Sequence, residues 1–140
     1  MSKVMGLDLG SRTLGIALSD PLKIIASGLE TFRFKEGDYN SALNRVVELV
    51  KLHDVKEIVL GLPLHMNGDF GDRAQICSDF KASLENQLKD VKIVLRDERL
   101  TTVIANRRLL DADLSRKKRK NVIDKMAGVE ILQNYLDERR

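Results

Sequence analysis

The sequence predicts an α/β domain, a mixed sheet with an antiparallel start followed by parallel strands, with helices on both faces. Two observations carry that expectation. The predicted elements run β-β-β-α-β-α-β-α-α, and strands that alternate with helices after a hairpin imply parallel additions to an antiparallel nucleus. The runs Glu57–Leu62 and Val91–Leu95 are almost continuously apolar, as in strands covered on both faces. The chain has 140 residues, enough for one domain with a real core, spanning residues 1–140, and too few for two.

The opening hairpin organises the rest. Val4–Leu9 is apolar except for Asp8, Gly10-Ser11-Arg12-Thr13 is turn chemistry, and Leu14–Leu18 is a second apolar run. A carboxylate inside an apolar strand is costly unless something pairs with it. Asp8 is therefore either a metal ligand or a strand-end acceptor of hydrogen bonds from the turn, and the sequence weighs these evenly. Gly10 and Gly15 allow a tight bend or a close approach. Ser27–Phe34 reads as a third strand. Asp38 or Asn40 caps a helix to about Leu52, with Leu43, Val46, Val47 and Val50 on one face. Residues 63–71 form a loop after the buried strand Glu57–Leu62. Asp72 is expected to cap a helix to about Lys89 that buries Ile76, Phe80, Leu84 and Leu88. The strand Val91–Leu95 then ends abruptly in Arg96-Asp97-Glu98-Arg99. A third helix is expected from Thr101 or Thr102 to about Leu110, then a mobile basic stretch over 111–120. A last helix from Val122 to about Leu136 is capped by Asn121.

Composition narrows the function. Hydrophobic residues make up 43% and charged residues 32%, an ordinary globular balance. No signal peptide or membrane-length apolar run is present, and the single Cys77 suits a reducing cytoplasm, where the expected role of that thiol is core filling. One Cys and two His (His53, His65) give no clustered zinc set. Of the net charge of +3, the stretch from Arg96 to the end contributes 12 basic and 8 acidic residues, so the positive excess lies in the C-terminal third. Such an excess suits a polyanionic partner, as it does a solvated charged tail.

Three carboxylates fall where a mixed sheet places its sites: Asp8 in the first strand, Glu98 just past a buried strand, and Asp124 in the expected first turn of the last helix. Brought together they would repel unless a divalent cation neutralised them, and hard oxygen ligands favour Mg²⁺ or Mn²⁺. Two such ions ~3.5–4 Å apart support phosphodiester hydrolysis. Each residue also has a plainer role, Glu98 as a surface ion pair with Arg96 or Arg99 and Asp124 as part of a helix cap. Spacing does not show that the three converge.

Four blocks in order, GLDLGSRTLGIALSD, IVLGLPLHMNGDFGDRA, DERLTT and KKRKNVIDKMAGVEILQNYL, resemble the YqgF family, also called RuvX, and cover nearly the whole chain. Its members are known as pre-16S ribosomal RNA nucleases and, in older usage, Holliday junction resolvases. The resemblance implies a ribonuclease H-like fold with Asp8, Glu98 and Asp124 as catalytic and metal-holding residues, using Mg²⁺ or Mn²⁺. It places Arg12 near substrate phosphate. Asn67, with Gly68, and the run Arg116, Lys117, Lys118, Arg119 and Lys120 become nucleic-acid contacts. The implied activity is cleavage in 5′-end processing of precursor 16S rRNA, in the cytoplasm, by a monomer or weak homodimer. The alternatives are a junction resolvase acting on DNA and a non-catalytic nucleic-acid-binding regulator. The chain departs from the family in one visible place, with Ala127-Gly128 where two alanines are usual. A fourth carboxylate, common in related nucleases, has no clear candidate among Asp20, Asp97 and Asp137.

Overall fold

The computed structural model describes residues 2–63, 68, 70–98 and 116–139, the last segment with side chains from Met126 onward. Five strands form one sheet: β1 (Lys3–Leu9), β2 (Thr13–Ser19), β3 (Ala26–Arg33), β4 (Val55–Leu62) and β5 (Lys92–Asp97). Their spatial order is β3-β2-β1-β4-β5. β1 is antiparallel to β2, with Asp8 opposite Gly15. It is parallel to β4, with Leu7 opposite Leu60. β4 is in turn parallel to β5, with Leu62 opposite Asp97. The C-terminal ends of β1, β4 and β5 therefore share one edge, the edge where α/β sheets place their sites.

Helices α1 (Tyr39–His53) and α2 (Asp72–Gln87) cover one face and α3 (Arg116–Arg139) the other. Strand alternation sorts the side chains accordingly. Met5, Leu7 and Leu9 enter the core under α1 and α2, whereas Val4 joins Val59, Ile131, Leu132 and Leu136 under α3. The mixed sheet with helices on both faces is thus as expected. Among the described residues no helix is long and apolar enough to cross a membrane.

Asp38 caps α1, its carboxylate accepting from the Ser41 amide and hydroxyl. Asp54 ends that helix in the left-handed region at φ 53° and ψ 56°. The chain can therefore enter β4 at once, two residues earlier than the apolar run suggests. The expected cap at Asp72 is replaced by Gly71, which makes no side-chain cap bond; Asp72 is instead the first helical residue. The largest correction is at the last helix. It starts at Arg116 rather than Val122, so the basic run lies in its first turns and Asn121 is internal. Lys and Arg are good helix formers, so the absence of apolar periodicity there does not stop the helix. Asp124 accordingly lies two turns inside α3, not in its first turn. The expected helix over 101–110 lies outside the described residues.

Candidate active site

On β1 the residues facing α3 are Val4, Gly6 and Asp8; on β4 they are Glu57, Val59 and Gly61. The two glycines let the helix settle against the sheet. A Cβ on Gly6 would meet Leu132 Cβ at 2.6 Å and the Gly128 carbonyl at 2.9 Å. A Cβ on Gly128 would lie 3.2 Å from the carbonyl oxygen of Gly15, the residue opposite Asp8. The departure from the family's double alanine therefore sits where helix backbone meets strand backbone. Further along the same face, a Cβ on Gly61 would meet Glu98 Oε1 at 2.7 Å and Ile131 Cδ1 at 2.6 Å.

This geometry brings two of the predicted carboxylates together. Leu7 pairs with Leu60, so the next residues along the parallel strands are Asp8 and Gly61, and the Glu98 carboxylate lies over Gly61. Both acids are buried, Asp8 at 9% exposure and Glu98 at 7%. Glu98 is therefore not a surface side chain. Arg96 is engaged elsewhere, donating to Asn134 Oδ1 from Nε at 2.9 Å and from Nη2 at 2.7 Å and pairing with Glu138. Cys77 reports the same clustering. Burial pushes its thiol up to about 12; the Arg73 cation opposes this, and the Glu98 and Asp8 carboxylates add to it. The thiol is buried core, as expected.

Asp124 belongs to the helix track that carries Leu132 and Gly128. Leu132 and Gly128 both lie over Gly6, and Gly128 reaches Gly15 beside Asp8. One turn further towards the helix start the backbone reaches Asp124, on the side of Gly128 away from Leu132. Among the described residues no group of three or more metal-ligating side chains is gathered, and the Asp124 side chain is not among them. Two converging buried carboxylates offer hard oxygen donors, a set that fits Mg²⁺ or Mn²⁺ rather than zinc.

Two possible fourth acids are displaced from this edge. The Asp20 carboxylate accepts from the Ile24 and Ile25 amides at the far end of β2, and those bonds hold its pKa down. Asp137 accepts from Gln133 near the end of α3. Asp97, the last residue of β5, is the one at the site edge. Arg12 lies in the β1–β2 turn at the same edge, exposed and paired with Glu36 at 3.0 Å. The Arg116–Lys120 run is helical, and Asn67 lies outside the described residues.

Arg73 was not singled out by the sequence. It donates to the Leu9 carbonyl at 2.8 Å and to the Tyr39 hydroxyl at 3.0 Å, tying the starts of α1 and α2 to the end of β1. The available signal was a cation in the first turn of a helix, against the macrodipole, which calls for a specific partner. Gly61 was likewise signalled by a glycine inside an apolar strand.

A five-stranded mixed sheet in the order β3-β2-β1-β4-β5, sandwiched by helices, defines a ribonuclease H-like fold. Solved structures agree on the fold. Thermus thermophilus RuvC bound to a Holliday junction substrate is similar with a TM-score of 0.58 at 12% identity, over 99% of this chain and 96% of that one. The Holliday junction resolvase of fowlpox virus is similar with a TM-score of 0.59 at 11% identity, over 99% of both chains. The family model described as "RuvX: Holliday junction resolvase" matches residues 2–138. A Bacillus mycoides protein named "Putative pre-16S rRNA nuclease" is 48% identical over 98% of this chain and 99% of its own. Its namesake in Bacillus thuringiensis is 47% identical over the same shares. The chain belongs to the RuvX family, and it is a phosphodiester-hydrolysing enzyme.

Proposed function

We propose that this chain is a single-domain, metal-dependent endonuclease of the cytoplasm that trims the 5′ side of precursor 16S rRNA. The observation that carries the reading is the placement of the Glu98 carboxylate over Gly61, level with Asp8, at the C-terminal ends of parallel strands. Nearly full-length relatives named for pre-16S rRNA cleavage support the substrate. Asp8, Glu98 and Asp124 are the residues that would hold one or two Mg²⁺ or Mn²⁺ ions. Such ions, when bound, activate water and neutralise charge on a phosphodiester undergoing in-line attack. Asp8 on β1 and Glu98 just past β5 flank β4, so the sheet fixes their separation before substrate arrives. Arg12 contributes a cation at the same edge, where exchange of Glu36 for a phosphate costs little because the pair is exposed. The helical run Arg116–Lys120 supplies sequence-independent attraction for the backbone.

Cleavage at low salt with Mn²⁺ or Mg²⁺ tests this, comparing single-stranded precursor rRNA with a four-way DNA junction. Asp8→Asn is expected to abolish cleavage while leaving the melting temperature within a few degrees. Unimpaired cleavage by that variant refutes the site. Paired symmetric nicks in the junction, with RNA untouched, replace the rRNA reading with a resolvase. Binding without cleavage of either substrate points to a non-catalytic regulator.

A further inference from the structure

The chain contains four Phe, two Tyr and no Trp. Five of those six rings are partly or fully buried: Phe32, Phe34 and Tyr39 pack with one another, Phe80 lies in the core and Tyr135 meets Glu57. Phe70 is the exception at 53% exposure, the one exposed aromatic ring of the chain. Among the described residues the other large exposed apolar side chains are aliphatic, and Leu22, Ile24 and Ile25 lie at the opposite end of the sheet, in the β2–β3 connection. Phe70 stands at the carboxylate edge, between the end of β4 and the start of α2. Three residues on, Arg73 fastens that helix start to the Leu9 carbonyl, next to Asp8. Phe70 lies two residues before that anchored helix, and an exposed ring held close to an anchored element loses little freedom on binding.

We propose that Phe70 is a stacking platform for an unpaired nucleobase of the strand held at this edge, and so a determinant of preference for single-stranded over duplex substrate. This rests on the nucleic-acid reading above. A base inside a duplex has both faces covered, whereas an unpaired base can lie on an aromatic ring. Stacking also explains why an aromatic, rather than another lysine or arginine, is exposed beside a site whose substrate is a polyanion.

The absence of tryptophan makes the test direct, because Phe70→Trp creates a single reporter at the position in question. Binding of a fluorescein-labelled twelve-nucleotide oligo-U strand is followed by anisotropy without divalent cation, alongside a labelled duplex. The tryptophan emission of Phe70→Trp is read with unlabelled strands. The expected result is tenfold to hundredfold weaker binding of the single strand by Phe70→Ala (about the loss a base–aromatic stack carries), with duplex binding unchanged. Phe70→Trp retains affinity, and its emission is quenched by oligo-U. Phe70→Leu, which keeps apolar bulk without a π-face, behaves as Phe70→Ala. The proposal is overturned if Phe70→Leu binds as the parent does, or if the tryptophan emission is unmoved while anisotropy shows binding. A parent protein that binds neither strand overturns the nucleic-acid reading itself, and stacking with it. A parent that binds oligo-U as tightly as Phe70→Ala does overturns stacking alone.

Discussion

Adding one methyl group at Gly61 separates what holds the fold from what holds the site. The new Cβ would stand 2.6 Å from Ile131 Cδ1, 2.7 Å from Glu98 Oε1 and 3.2 Å from Glu98 Cγ. Ordinary contact begins near 3.4 Å, so the carboxylate oxygen must retreat by about 0.7 Å and Ile131 by slightly more. All three atoms belong to side chains, which keeps the stability cost within the ~1–3 kcal/mol typical of an overpacked core. The cost to chemistry is larger, because a misplacement of about 1 Å at a reacting centre is worth on the order of 10²-fold in rate. Gly6→Ala is the matched control. Its Cβ would press on Leu132 Cβ at 2.6 Å and on the Gly128 backbone oxygen at 2.9 Å, which no rotamer relieves. It touches neither described carboxylate. Melting by circular dichroism and Mn²⁺-dependent cleavage of single-stranded RNA, measured on both variants, give the comparison. Gly61→Ala is expected to melt above Gly6→Ala and yet cleave about a hundredfold more slowly than the parent when both are folded. A folded Gly61→Ala that cleaves at the parental rate refutes the placement of Glu98 in the reaction.

Two further outcomes follow from the α3 contacts. The Tyr135 phenol is pushed up to about 12, chiefly by burial and then by its hydrogen bond to Glu57, with the Arg139 and Arg96 cations opposing. A group whose pKa is raised on folding contributes fully below its unfolded value near 10 and loses that contribution as pH climbs towards 12. Urea midpoints between pH 9 and 12 should therefore fall more steeply for the parent than for Tyr135→Phe; parallel curves contradict the assignment. Gly128→Ala gains up to ~1 kcal/mol of helix propensity. It also sets a Cβ 3.2 Å from a strand carbonyl that hydrogen bonding on both sides holds in place. The two effects offset, so the melting temperature should change little or fall by a few degrees, and a clear rise would show that the helix can lift freely.

What was legible in the sequence is local. A cap at Asp38 or Asn40, of which the structure uses Asp38, the amphipathic face of α1 and the hairpin around Gly10–Thr13 are each set by residues within one or two turns of each other. Asp8 stood out because a carboxylate in an apolar strand is anomalous by itself. Glu98 did not, because Arg96 and Arg99 beside it offered an equally good local partner. Only the order β3-β2-β1-β4-β5 puts Glu98 over Gly61, and turns Arg96 away to Asn134 and Glu138. The start of α3 was misjudged for a related reason. A helix whose first turns are lysine and arginine carries no apolar period to read, so the first hydrophobic residue was taken for its beginning.

The same contacts explain how α3 is fastened to the sheet that carries the two described carboxylates. Arg96 sits on β5 two residues before Glu98, and its guanidinium grips Asn134 and Glu138 on α3, the helix that carries Asp124. Glu57, near the start of β4, takes the Tyr135 hydroxyl and an Arg139 nitrogen at 2.9 Å, while Gln133 bonds the Ala26 amide at 2.8 Å and the Ile24 carbonyl at 2.9 Å. On α3 the partners Gln133, Asn134, Tyr135, Glu138 and Arg139 all lie in the C-terminal half. Between the fastened half and Asp124 runs the glycine contact of Gly6 and Gly128, which sets the height of the helix over the sheet. Arg96, Glu57 and Gln133 thus fasten the helix to β5, β4 and the start of β3, and fix its position over the strand ends where Asp8 and Glu98 lie.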